Sequence, residues 1–225
     1  MATEASDAEA ELSSPCRGLR ADAARNRALI LETAAQLFAE AGIDAGYDEI
    51  ARRAGVGVGT VYRRFPERAE LLRALFESRI DEMVEIGERA AAFDGGWDGL
   101  SWFLERMLER QVCDRGLTQV VMTTLGRDVH EDIGRDRIWP ILEGIVHRAH
   151  LEGTLRADVG ATDIAMQIML VSSLSSPGQP ELWRRGLALL LDGLRARPDL
   201  TPLPGGVPAH EAMFALMSHL HGTHT

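Results

Sequence analysis

Tyr62, Arg63 and Arg64 stand directly behind three glycines at alternate positions, Gly55, Gly57 and Gly59, in the stretch GVGVGTVYRRF. Guanidinium forks bind phosphate, a phenol can donate to it, and glycine lets a backbone approach it closely. Two kinds of site have this composition. In a nucleotide-binding loop the glycines follow a buried strand and open a helix whose amides face the phosphates. Here the preceding residues, DEIARRA, read as a helix, and no Gly-Lys-Ser/Thr follows. The other site is a helix-turn-helix: a short helix, a glycine-containing turn, and a second helix that lies in the major groove of DNA. The stretch fits that pattern in each of its parts.

No other constellation in the chain carries chemistry. Ser172, Ser173, Ser175 and Ser176 lie outside any Gly-x-Ser-x-Gly elbow, and His-Glu-x-x-His does not occur, so no enzyme activity is expected. His147 and His150 share a helix face at i, i+3 and could meet Asp128 or His130 around a metal, but surface histidines are the plainer reading. The tail histidines His210, His219, His221 and His224 have no cysteine or carboxylate cluster to help them, so neither metal nor cofactor is expected. Cys16 and Cys113 have no partner spacing, which excludes a disulfide framework; Cys113 reads as a small core residue.

The elements that must position the tyrosine and arginines are helices. Leu29, Ile30, Ala34, Leu37, Phe38 and Ala41 recur at spacings of three and four, predicting a helix from near Asp22 to Ala41 that Gly42 ends. A short helix follows over 47–54, with Asp48 and Glu49 in its first turn, Ile50, Ala51 and Ala54 inward, and Arg52 and Arg53 on a solvated or ion-paired face rather than on DNA. The next covers 58–64, where Val61 and Phe65 face the core, and Pro66 cannot continue it. Further helices are predicted over 67–93, 97–112, 117–125, 131–150, 161–174 and 180–196, with a kink at or before Trp139 caused by Pro140. No segment alternates with a period of two, so the fold is expected to be all-α, with about nine helices. Residues 1–21 read as a mobile arm and 198–208 as a Pro/Gly linker, and 210–221 could form one short amphipathic helix.

A net charge of −10 argues against a nucleic-acid partner until its distribution is examined. From Arg17 to Arg73 ten arginines face eight acids, a balance of +2, whereas residues 74–225 carry −8. A mildly basic front precedes an acidic body. With 45% apolar residues, no run long enough to span a bilayer and no signal peptide, the chain is expected to be a soluble, cytoplasmic protein without a membrane partner.

The segment DEIARRAGVGVGTVYRRFPERAELL, within Ile30–Leu72, resembles the DNA-binding domain of the TetR (tetracycline repressor) family of bacterial transcriptional regulators. The order of parts agrees: apolar first helix, Ile-Ala, Ala-Gly-Val, Gly-Thr-aliphatic-Tyr, Phe-Pro, and a basic residue before Leu-Leu. RADVGATDIAMQI similarly looks like the start of the family's eighth helix. The resemblance implies a groove-facing set of Val58, Gly59, Thr60, Tyr62 and Arg63, with Arg64 and Arg68 on backbone phosphates. Gly57 replaces the frequent Ser or Thr at the helix N-cap, and Gly59 sits in the first turn. Together they weaken an isolated recognition helix by roughly 1 kcal/mol or more. Arg17, Arg20, Arg25 and Arg27 form either an arm for the minor groove or the charged start of a helix.

The implied organisation is a helix-turn-helix domain over 22–68, a ligand-binding and dimerisation domain over 69–197, and a tail from 198. Trp102, Phe103, Met107, Met122, Trp139 and Met166 are the candidates to line a pocket for an apolar or amphipathic small-molecule effector, although residues at such helical spacing are more often plain core. Met166, Leu170 and Leu174 on one helix and Leu182, Leu187, Leu190, Leu191 and Leu194 on the last are the candidates for a four-helix homodimer interface. The expected function is a repressor released from a palindromic double-stranded operator by its effector. The alternative is a small-molecule carrier or sensor whose helix-turn-helix is vestigial.

Overall fold

A computed structural model of the chain describes residues 15–42, 44–113, 134–175, 179 and 181–212. All of its regular elements among these residues are helical: α1 (Pro15–Ala41), α2 (Tyr47–Ala54), α3 (Val58–Arg64), α4 (Arg68–Ala91), α5 (Gly96–Cys113), a π-helical turn (Gly134–Ile138), α6 (Trp139–Leu151), α7 (Ala161–Ser172) and α8 (Leu182–Leu194). The expected helix over 117–125 and most of the expected tail helix lie outside the described residues. The chain divides into two compact units between Leu75 and Phe76, inside α4.

In the first unit, α1 begins at Pro15, ahead of the start near Asp22 that periodicity suggested. Its stripe of Ile30, Leu31, Ala34, Leu37 and Phe38 is buried, and each such large side chain contributes about 1.5–3 kcal/mol by leaving water. Leu29, placed on that stripe by its spacing, is instead 40% exposed. Helix α2 buries Tyr47, Ile50 and Ala51 and ends at Gly55, whose φ of +68° is a left-handed conformation that glycine adopts without a Cβ penalty. The Gly55 amide donates to the Ala51 carbonyl, which closes the tight turn into α3. Val61 and Phe65 are buried beneath α3, so this short helix is held by its two apolar residues rather than by capping.

The second unit packs α5, α6, α7 and α8 around one core that includes Leu100, Phe103, Leu104, Leu142, Ile164 and Trp183. Arg148 and Glu152 fix the turn between α4 and α5. Arg148 donates to the carbonyls of Ala91 (2.9 Å) and Asp94 (2.5 Å), while the Glu152 carboxylate accepts from the Gly96 amide (2.6 Å). The ends of two helices thereby gain partners that their own hydrogen-bond ladders leave out. Instead of a kink inside one helix, the chain makes the π-helical turn and then starts α6 at Trp139, with Pro140 in the first turn, where its missing amide costs nothing.

Residues beyond α8 lie back against this unit. The Arg156 guanidinium meets the Asp158 carboxylate twice (2.6 and 3.0 Å) and also donates to the Thr201 carbonyl (2.8 Å). Asp158 accepts from the Leu203 amide (2.8 Å) and is held well below the usual carboxylate range, chiefly by Arg156 and then by that amide. Val207 sits where a Cβ on Gly160 would be, and His210 meets Trp139 edge-on with centroids 4.1 Å apart. The stretch read as a linker is thus tied to the body at several points.

Candidate nucleic-acid interface

Helix α3 is positioned from below. Val61 is fully buried and Phe65 nearly so, and the helix therefore turns Val58, Tyr62, Arg63 and Arg64 outward, with Tyr62 53% exposed and Thr60 half-buried. Nothing inside the unit requires glycine at the start of this helix. A Cβ on Gly59 would meet no atom within 4 Å, and one on Gly57 only the Thr60 hydroxyl at 3.9 Å. Gly57 is the N-cap, extended at φ −67° and ψ 139°, and offers no side-chain cap.

The arginines of α2 and α3 differ in their partners. Arg52 makes two hydrogen bonds to Glu49 (2.8 and 2.6 Å), while Arg53 bonds both Glu49 (2.9 Å) and Glu40 at the end of α1 (2.7 Å). Hydrogen bonds from Arg52 and then Arg53 hold the Glu49 carboxyl down to about 2. Arg52 and Arg53 are thus ion-paired, as expected. Arg63 and Arg64 have no ion-pair or hydrogen-bond partner among the described residues, and their charge is available to an external anion.

Arg68 makes contacts within the first unit. Its guanidinium donates to the Ala45 carbonyl (2.6 Å) and lies 5.4 Å from the Phe38 ring centroid and 5.6 Å from that of Tyr47. Those contacts join α4 to α1, to α2 and to the loop before α2. Arginine serves here as a brace, because its planar cation can stack on rings and still donate. Sequence reasoning placed Tyr47 only at the start of α2. In the structure it is 7% exposed and packs against Tyr62, with ring centroids 4.9 Å apart and planes at 59°. Burial pushes its phenol above the ordinary tyrosine range, against the lowering pull of Arg68. The one available signal was that the chain has only two tyrosines, both in this segment.

The residues expected to line an effector pocket are distributed differently. Phe103 and Met107 are core, 1% and 5% exposed. Trp102, Trp139 and Met166 are half-buried, Trp102 beside Phe93 (5.5 Å) and Arg89 (5.1 Å), and the Trp139 indole donates to Glu143 (2.8 Å). Met122 lies outside the described residues. A small cleft in this unit is lined by Ala90, Ala91, Gly96, Gly144, Ile145 and Arg148, none of them on the expected list. His147 is exposed, whereas a ring nitrogen of His150 lies 3.2 Å from the Arg156 carbonyl. Of the expected interface, Leu187 and Leu194 are buried in the unit's own core, and Leu190 and Leu191 pack against it. Leu170, Leu174 and Leu182 are exposed, and so is Leu189, which the spacing argument passed over.

Residues 30–75 match the family model "Bacterial regulatory proteins, tetR family", and 98–196 match "Transcriptional regulator SbtR-like, C-terminal domain". The HTH-type transcriptional repressor LfrR of Mycolicibacterium smegmatis is 29% identical over 198 residues, which cover 87% of this chain and 88% of that one. A TetR transcription regulatory protein from Mycobacterium vanbaalenii superposes with a TM-score of 0.65 at 35% identity, over 79% of this chain and 99% of that chain. FadR from Bacillus subtilis, in complex with stearoyl-CoA, shares the fold at a TM-score of 0.57 and 20% identity, over 74% of this chain and 98% of that one. The outward tyrosine and arginines of α3 thus stand on the family's own helix-turn-helix, and the chain belongs to the TetR family of bacterial transcriptional regulators.

Proposed function

We propose that this regulator is a homodimeric repressor whose α3 enters the major groove of a palindromic operator and which an apolar or amphipathic small molecule releases. On this reading 22–68 is the DNA-binding domain and 69–197 holds the effector and the dimer interface. Val58, Gly59, Thr60, Tyr62 and Arg63 form the groove-facing set, with Arg64 on a backbone phosphate. The observation that carries the reading is the outward face of α3, where two guanidiniums without partners among the described residues follow an exposed tyrosine on a buried apolar footing. Such a face can bond guanine edges or backbone phosphates bidentately.

Support for an effector site is coarser. Trp102, Trp139 and Met166 are half-buried apolar groups of the second unit, and the same fold holds stearoyl-CoA in the Bacillus subtilis protein. The exposed Leu170, Leu174, Leu182 and Leu189 supply apolar surface for a second copy, and helix-turn-helix dimers match half-sites about 34 Å apart.

Titration of the full chain against DNA upstream of its own coding region tests the reading. Specific binding should fall steeply with salt. Tyr62→Ala, Arg63→Ala and Arg64→Ala should each weaken it by about 1–3 kcal/mol, leaving the oligomeric state unchanged. Affinity at the non-specific level for every palindromic fragment would remove the reading and favour the carrier.

A further inference from the structure

Tyr62 is 53% exposed on a seven-residue helix whose N-cap is a glycine without a side-chain cap and whose first turn contains a second glycine. Val61 and Phe65 fix the buried side of α3 but leave the outward rings and guanidiniums free to choose among rotamers. Among the described residues a ring contact constrains that outer side. The Tyr62 ring rests on Tyr47 at 4.9 Å and 59°, the tilted geometry that aromatic pairs prefer. Tyr47 is itself immobilised, buried at the start of α2 beside the Arg68 guanidinium, which is anchored on the Ala45 carbonyl. We propose that Tyr47 is a positioning residue for DNA recognition: braced by Arg68, its ring holds Tyr62 in the orientation that meets the groove.

This inference rests on the reading of α3 as the groove-facing helix and adds to it a residue that touches no DNA. A tilted aromatic contact is worth a factor of about three to ten in a conformational equilibrium. Presetting Tyr62 by that factor raises the DNA-competent population, and the apparent affinity, in the same proportion. The ring, not the hydroxyl, does the positioning. The Tyr47 hydroxyl is buried without a hydrogen-bond partner among the described residues, so its presence opposes folding rather than helps it.

The test uses the full chain and an operator fragment that the wild-type protein binds specifically. Tyr47→Phe should bind within about twofold of wild type, and Tyr47→Leu, which keeps the apolar volume and loses the ring, should bind about fivefold more weakly. In the Tyr62→Ala background Tyr47→Leu should cost nothing further, because the residue it positions is gone. The chain contains two tyrosines, so 3-fluorotyrosine labelling gives two fluorine resonances. In Tyr47→Leu the remaining resonance, from Tyr62, should move toward the position of an unpacked tyrosine while the melting temperature stays within a few degrees.

An equal loss of affinity in both backgrounds, or an unmoved Tyr62 resonance, would overturn the proposal. If Tyr47→Leu does not fold, ring-to-ring nuclear Overhauser contacts in the tyrosine-labelled wild-type protein decide the matter: their presence supports the preset pair, and their absence overturns it. Wild-type protein that binds no fragment specifically defeats the regulator reading itself. Specific wild-type binding with Tyr47→Leu unaffected defeats only the positioning role.

Discussion

Arg52 and Arg53 spend their charge on Glu49 and Glu40, whereas Arg63 and Arg64 keep theirs. Glu49 therefore lowers the positive charge of the helix-turn-helix. Its folded carboxyl titrates near 2, below the roughly 4.3 of a free glutamate, so its contribution is complete above about pH 4.3 and lost only as pH falls through 2. Between pH 5 and 8 the pairing is constant. Glu49→Gln should release Arg52, while Glu40 still holds Arg53, raise non-specific DNA affinity and steepen its salt dependence by about one counterion, as a salt titration would read. Arg68→Ala, by contrast, should lower the stability of the helix-turn-helix by on the order of 1–3 kcal/mol, because the Ala45 carbonyl loses a charged donor, while the salt slope of binding stays the same. A reduced slope with unchanged stability would return Arg68 to the phosphate.

At the scale of elements, α3 is short and glycine-rich, and space inside the unit is not the reason. Gly59→Ala should stabilise the free helix by about 0.5–1 kcal/mol, as thermal unfolding would show. It should also weaken operator binding, since the added methyl group points outward, where DNA would approach. Tighter binding would mean that the glycine serves no contact. The segment after α8 is a second case of a local rule overruled. Its Pro/Gly composition suggested a linker, yet Arg156 and Asp158 tie it down. Asp158→Asn should loosen this segment and expose 198–206 to limited proteolysis, with the body still folded. The sign of the Asp158 shift keeps the tie intact above the pH range of a free aspartate and weakens it only on strong acidification.

For the whole molecule, the acidic body and the net charge of −10 mean that binding to DNA depends on local positive charge, and raised salt should abolish it sooner than the number of arginines suggests. The proposed two-fold assembly is tested on α8, where leucines point in opposite senses. Leu189 is 68% exposed and Leu187 only 6%. If the proposed dimer forms through this face, Leu189→Glu should give folded monomers in sedimentation equilibrium and weaken binding to a palindromic operator. Leu187→Glu should instead unfold the body, because it buries a charge without a partner.

The sequence by itself determined the helical class, the order of the described helices and the glycine stops at Gly42 and Gly55. Each of these follows from interactions within a few residues: a 3.6-residue period, a missing Cβ, a proline without an amide. It did not determine whether an arginine meets a carboxylate, a ring or solvent, or which leucine of a mostly apolar helix is covered. Arg68 and Arg64 are both arginines beside Phe65-Pro66, and Leu187 and Leu189 occupy one helix two positions apart. Only the tertiary structure, which brings Phe38, Ala45 and Tyr47 to Arg68 and the body's core to Leu187, separates them. Those partners come from distant parts of the chain, and local periodicity carries no information about them.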